Sequence, residues 1–208
     1  MKKIAFLVSG GGTNMQAVID AIKCGGIKAT PALVIASNYE CYAIKRAEKE
    51  KIPFKICALK DFESGEARDA EILKLLRKYK IDLIVLAGYL GILSQTVIDA
   101  FPYGIMNIHP SLLPAFGGKG FHGLKVHEAA LNRGVKITGA TAHFVSGEID
   151  GGAIILQKAV EVKDGDTPEA LQKRVLEQAE YVIYPQAVKL FCEDKLIIKD
   201  DKVLIKKS

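Results

Sequence analysis

The most constraining feature of this chain lies in its first fourteen residues. Residues 4–8, Ile-Ala-Phe-Leu-Val, form a continuous apolar run of strand length. Ser9-Gly10-Gly11-Gly12-Thr13-Asn14 follows at once, and Met15, Val18, Ile19 and Ile22 then recur at helical spacing. A strand, a glycine loop and a helix start in that order present backbone N–H groups at the positive end of a helix dipole, which suits an anion. Three ligand readings compete. A nucleoside-triphosphate loop needs Lys-Ser/Thr after its last glycine, but Thr13-Asn14 stands there. A dinucleotide loop needs Gly or Ala at its sixth position and an acid after the second strand, where this chain has Met15 and Ser37-Asn38. A monophosphate cradle of Gly12, Thr13 and Asn14 is the third, beside the plain alternative of a tight turn that holds nothing.

The alternation continues along the chain. Apolar runs at 32–36, 54–57, 82–88 and 104–109 read as buried strands. Helices are expected at 41–51, 67–79 and 94–101, the last with Ser94 as N-cap. Strands alternating with helices of these lengths predict an α/β fold with a doubly wound, mostly parallel sheet and helices on both faces. Residues 110–123 carry Pro110, Pro114, Gly117, Gly118, Gly120 and Gly123 and lose all periodicity, the mark of a functional or disordered loop. Beyond it come a helix at 125–132 and two strands, 137–145 and 153–162, joined by a turn, which predicts an antiparallel C-terminal edge. Thr167 is expected to cap one long helix reaching about residue 191, with Pro168 in its first turn. Residues 196–205 suggest a small hairpin. With no repeat and no linker, a single domain over 1–208 is expected.

Composition narrows the function classes. Of 208 residues, 49% are hydrophobic and 25% charged, the balance of a folded globular chain rather than a disordered tail or coiled coil. Net charge is +5, much of it from Lys195, Lys199, Lys202, Lys206 and Lys207. Trp is absent and aromatics are 7%, so the basic stripe with stacking aromatics of a nucleic-acid reader is missing. The charge suits an anionic small substrate, or simply a solvated surface. Cys24, Cys41, Cys57 and Cys192 are scattered without metal-ligand spacing, which suggests a reducing compartment and no metal. The first apolar run ends at Gly10, too soon for a signal segment, and no window is long enough to span a membrane. A cytoplasmic protein is expected.

The chemistry is concentrated at 105–109, Ile-Met-Asn-Ile-His. Asn107 and His109 are two apart in a strand and so share a face. They lie near the carboxyl end of that strand, where open α/β sheets bind ligands. An Asn amide can donate to a developing oxyanion, and a His can hold or move a proton near neutral pH. Together they suit acyl transfer. No G-x-S-x-G is present, so the nucleophile is expected from the substrate. The bland alternative is a strand histidine satisfied by its own fold. His127 and His143 read as structural, and His122 in the loop receives no role.

Residues 9–14, the run Asn107-Ile108-His109-Pro110-Ser111-Leu112-Leu113-Pro114, and His143-Phe144-Val145 followed by Asp150-Gly151-Gly152 resemble the folate-dependent formyltransferase family, over nearly the whole chain and in order. The glycine loop is most similar to the branch acting on glycinamide ribonucleotide. The tRNA and hydrolase branches, which share His-Pro-Ser-Leu-Leu-Pro, carry an added domain that a chain of this length is not expected to hold. The resemblance implies transfer of a formyl group from 10-formyltetrahydrofolate, as co-substrate, to the amine of 5'-phosphoribosylglycinamide. It implies that Gly12, Thr13 and Asn14 bind the phosphate, that Asn107 holds the formyl oxygen, and that His109 is the catalytic acid paired with Asp150. Leu90, Gly91, Ile92 and Leu93 would line the pterin pocket through backbone groups, and Glu180 would lie near the ribonucleotide. Without the resemblance, Asp150 reads as an Asp-Gly turn residue and Glu180 as an exposed helix charge. Gly65 and Gly91 stand where many members carry Arg; Arg68, Lys119 and Lys125 are the basic residues that could take over. The implied partners are small molecules only, with no nucleic acid and no membrane, in a monomer or homodimer. Two other readings stay open: a formyl-folate hydrolase or transferase with another acceptor, and a non-catalytic nucleotide-binding module.

Overall fold

The computed structural model describes residues 1–206; Lys207, counted above among the C-terminal lysines, lies outside them. The chain divides into two compact units, Met1–Met106 and Asn107–Ser208.

In the first unit, four strands run parallel in the order β3-β2-β1-β4. They are β1 (Lys2–Val8), β2 (Ala29–Ala36), β3 (Phe54–Ile56) and β4 (Leu83–Ala87). Ile4 to Val8 and Leu33 to Ala36 are fully buried, as continuous apolar runs in a parallel sheet should be. β2 starts three residues earlier than expected. Pro31 cannot donate to the ladder, and the register with β1 shifts just past it, between Ile4 and Ala5. The helices are α1 (Thr13–Lys23), α2 (Ala43–Lys49), α3 (Gly65–Tyr79) and α4 (Gln95–Ala100). α2 is shorter than expected because Cys41 Sγ and the Ala43 N–H are both drawn to the Gly10 carbonyl, at 3.1 Å each. Ser94 occupies the N-cap position of α4, yet its side chain makes no capping bond. Its N–H instead reaches Asp69 Oδ2 at 2.5 Å.

β5 (Ile105–His109) leads into the second unit, where the order is β5-β6-β7. Residues 110–123 contain no helix or strand. α5 (Leu124–Arg133) follows, then β6 (Ile137–Phe144) and β7 (Ile154–Glu161), which pair antiparallel. Four parallel strands flanked by helices and an antiparallel C-terminal pair give the doubly wound α/β class expected from the pattern. β8 (Leu196–Lys199) and β9 (Lys202–Ile205) form the small terminal hairpin.

The long helix expected from Thr167 to about residue 191 is present, unbroken from Pro168 to Cys192, with one departure inside it. The structure has α6 (Pro168–Val175), a π-helical turn Leu176–Glu180, and α7 (Tyr181–Cys192) with Pro185 inside it. Thr167 does cap α6, accepting the Ala170 N–H at 3.2 Å. The extra residue of the π-turn re-phases the buried stripe, so that Ala179 and Glu180 are buried side by side before Ile183, Tyr184, Ala187 and Val188 resume it. Apolar spacing reads straight through such an insertion, which is why the sequence pattern did not show it.

Candidate active site

The glycine loop is built by spending its carbonyls. Ser9 O accepts from Asn38 Nδ2 at 2.9 Å, Gly10 O from the Ala43 N–H and Cys41 Sγ, Gly11 O from Arg46 Nε at 2.8 Å, and Gly12 O from the Gln16 N–H at 2.9 Å. With its acceptors turned onto neighbouring elements, the loop leads directly into the N-terminal N–H groups of α1, at the positive end of the helix dipole. Gly12 is required twice over. Its φ is +67°, and a Cβ there would sit 2.5 Å from the Ala43 Cβ. Asn14 is buried and Thr13 half-buried.

Loop 90–93, in the same unit, presents Leu90 and Ile92 to solvent at 67% and 72% exposure while Leu93 is buried. A Cβ on Gly91 would lie 2.7 Å from the Tyr89 ring. That ring occupies the space a larger residue at 91 would need. Tyr89 is itself buried, which pushes its phenol up to about 12. Arg68 is not a surface substitute for the missing arginines. It is 6% exposed, pairs with Asp69 at 2.7 Å, and donates to the Ile92 carbonyl at 2.9 Å.

In the second unit the structure brings Asn107, His109 and Asp150 into one cluster and adds His143. Asp150 adopts φ +56°, a left-handed conformation that Asp tolerates at a turn. Its carboxylate leaves the turn and faces inward, with Oδ2 3.5 Å from His109 Nδ1 and Oδ1 3.7 Å from His143 Nε2. Oδ2 also accepts the Gly118 N–H at 2.9 Å. His109 Nε2 lies 2.8 Å from the Phe116 carbonyl. Each ring nitrogen of His109 therefore faces an oxygen acceptor.

His143 is tuned differently. Its Nδ1 lies 2.8 Å from the Phe144 carbonyl and its Nε2 3.2 Å from Asn107 Nδ2. The carbonyl calls for a proton on Nδ1, which leaves Nε2 to accept from the amide. Burial pushes the His143 pKa down, favouring this neutral form, against the opposing pull of the Phe144 carbonyl and Asp150. Asn107 thus gives one amide hydrogen to His143 and keeps a second.

The loop that carries Phe116 and Gly118 is fastened to the β6–β7 ladder. Thr141 Oγ1 donates to Ser111 O at 2.7 Å and accepts from the Leu113 N–H at 3.0 Å. Gln157, directly opposite Thr141 in register, donates to Leu113 O at 2.9 Å. Glu180 is 7% exposed, buried in the π-turn that packs on β6 and β7, not an exposed helix charge.

Sequence reasoning read His143 as structural, though it lies in one of the segments that carry the resemblance, and gave no role to Thr141, Gln157 or Arg46. One signal was present: Thr141 and His143 are two apart on β6, so they share a face. Gln157 and Arg46 had none, because their partners lie 44 and 35 residues away in sequence.

A family model described as formyl transferase matches residues 2–188. The chain belongs to the formyl transferase family. It is 42% identical to the phosphoribosylglycinamide formyltransferase of Haemophilus influenzae, over 97% of this chain and 92% of that one. It superposes on glycinamide ribonucleotide transformylase 1 from Symbiobacterium toebii with a TM-score of 0.94 and 41% identity, covering 100% of this chain and 95% of the other. A formyltetrahydrofolate deformylase from Pseudomonas syringae is also similar, at 26% identity and a TM-score of 0.89, with 66% of that chain covered. The fold expected from the sequence is the one shared with these structures. Among the described residues, no helix is long and apolar enough to cross a membrane, and no group of three or more His, Cys, Asp and Glu could hold a metal ion.

Proposed function

We propose that residues 1–208 act as one formyltransferase domain that moves the formyl group of 10-formyltetrahydrofolate onto the amine of 5'-phosphoribosylglycinamide, giving formylglycinamide ribonucleotide and tetrahydrofolate. The observation that carries this reading is the cluster of Asn107, His109 and Asp150, with His109 Nδ1 3.5 Å from the carboxylate. The H. influenzae and S. toebii proteins, named for this reaction and this ribonucleotide, support it at 42% and 41% identity.

Each residue has a physical task. The substrate amine attacks the formyl carbon, so the protein need supply no nucleophile. Negative charge then grows on the formyl oxygen, and the second amide hydrogen of Asn107 is the donor for it. His109 delivers a proton toward the departing folate nitrogen, and Asp150 stabilises the imidazolium that precedes this step. The loop N–H groups at Gly12, Thr13 and Asn14 take the phosphate. Backbone groups of Leu90, Gly91, Ile92 and Leu93 beyond the two already bonded within the unit take the pterin, and Glu180 binds the ribonucleotide. No metal enters this scheme. On this reading the protein is a cytoplasmic enzyme, monomer or homodimer, that meets small molecules and neither nucleic acid nor membrane.

A spectrophotometric assay with 10-formyltetrahydrofolate, run with and without the ribonucleotide, tests the proposal. Deformylation only when the ribonucleotide is present is the expected result. Deformylation without it assigns the chain to the hydrolase chemistry of the P. syringae relative. Folded protein inactive under both conditions overturns the enzyme reading in favour of a binding module.

A further inference from the structure

Loop 90–93 is held by two bonds from within its own unit. The Leu90 N–H donates to Ser9 Oγ at 2.8 Å, and the Ile92 carbonyl accepts from Arg68 at 2.9 Å. Arg68 is locked in turn by Asp69, whose second carboxylate oxygen takes the Ser94 N–H. The loop is thus tied to Ser9 at one end and to the start of α3 at the other, with the Tyr89 ring filling the space beside Gly91.

Ser9 is the more consequential tie. Its hydroxyl also lies 2.7 Å from Ser37 Oγ, at the end of β2, and the neighbouring Asn38 amide holds the Ser9 carbonyl. The Leu90 N–H can only donate, so the Ser9 oxygen is its acceptor, and the Ser37 hydroxyl donates to the same oxygen. One oxygen atom therefore joins three segments: the glycine loop, the end of β2, and loop 90–93. Residue 9 precedes the loop whose carbonyls are all committed, so little slack lies between Ser9 and the N–H groups of Gly12 to Asn14.

We propose that Ser9 is a positioning residue that couples the two loops, so that a phosphate monoester seated on the glycine loop raises the affinity of loop 90–93 for folate, and the reverse. This rests on the assignment of phosphate and pterin made above. The physical source is the shared tie: a ligand that settles one loop into its bound geometry moves the other through the Ser9 oxygen, so each ligand favours the conformation that the other needs.

The test is calorimetric titration of tetrahydrofolate, with and without saturating glycinamide ribonucleotide. In the unaltered protein the ribonucleotide should tighten folate binding about fivefold or more. In Ser9→Ala that ratio should fall to about one, while each ligand alone still binds. Ser9→Thr, which keeps the hydroxyl, should restore it. A ratio unchanged in Ser9→Ala, or a ratio of one in the unaltered protein, overturns the inference. Hydrogen exchange on the unaltered protein gives a readout that needs no variant: the ribonucleotide alone should slow exchange of the Leu90 amide, and exchange left unchanged counts against coupling. Failure of either ligand to bind at all would instead overturn the substrate assignment, so the two failures are distinguishable.

Discussion

Asn107 gives one amide hydrogen to His143, and in the proposed mechanism its second goes to the formyl oxygen, which would make its loss the most directly chemical. Asn107→Ala should lower kcat by roughly 10²–10³, the usual consequence of removing one oxyanion donor, with a much smaller change in KM for either substrate. Steady-state kinetics decide this, and a loss under tenfold would remove the oxyanion role. Asp150 lies 3.5 Å from His109, and the proposed mechanism has its charge act on that ring. Asp150→Asn keeps the shape and deletes the charge, so kcat should fall and its dependence on pH should change form. A pH–rate curve that merely scales down, with its inflections in place, would mean that the two residues are not coupled. His143 received only a structural reading from its sequence context, since a strand histidine has no other until the 3.2 Å distance to Asn107 is known.

At the scale of elements, the glycine loop shows how local composition becomes a site. A left-handed φ at Gly12 and the close approach of Ala43 both exclude a side chain. Gly12→Ala must move either the loop or α2, so KM for the ribonucleotide should rise by an order of magnitude or more while KM for the folate changes less. Substrate-varied kinetics separate the two, and equal effects on both would place the phosphate elsewhere. This loop was legible because strand, glycines and helix are contiguous. The helix after Thr167 was legible at its start, where Thr167 and Pro168 act locally, and in its extent to about residue 191, but not in its interior. The π-turn that buries Glu180 depends on what the helix packs against, namely β6 and β7, and no spacing within the segment records that.

At the scale of the molecule, burial itself is titratable. His127 is fully buried on α5, and burial pushes its pKa down to about 4, with His109 adding to the effect. Its ring nitrogens find no hydrogen-bond partner among the described residues. The unfolded chain takes up this proton near pH 6.5 and the folded chain only near 4, so the unfolded state binds more protons between them. Stability should therefore fall as pH drops through that window, by on the order of 3 kcal/mol from this one group. Urea unfolding at a series of pH values measures it, and His127→Leu should flatten the slope; an unchanged slope would assign acid sensitivity to other groups. Sequence alone determined the alternation of strands and helices, the glycine loop and the shared face of Asn107 and His109, because each is written in residues a few positions apart. The tertiary structure decided that Asp150 turns inward to His109 and His143, that Arg68 is buried beneath loop 90–93, and that Ser9 joins that loop to the glycine loop. Those contacts span tens of residues, and their partners are chosen by how the strands and helices pack, which no local run of side chains encodes.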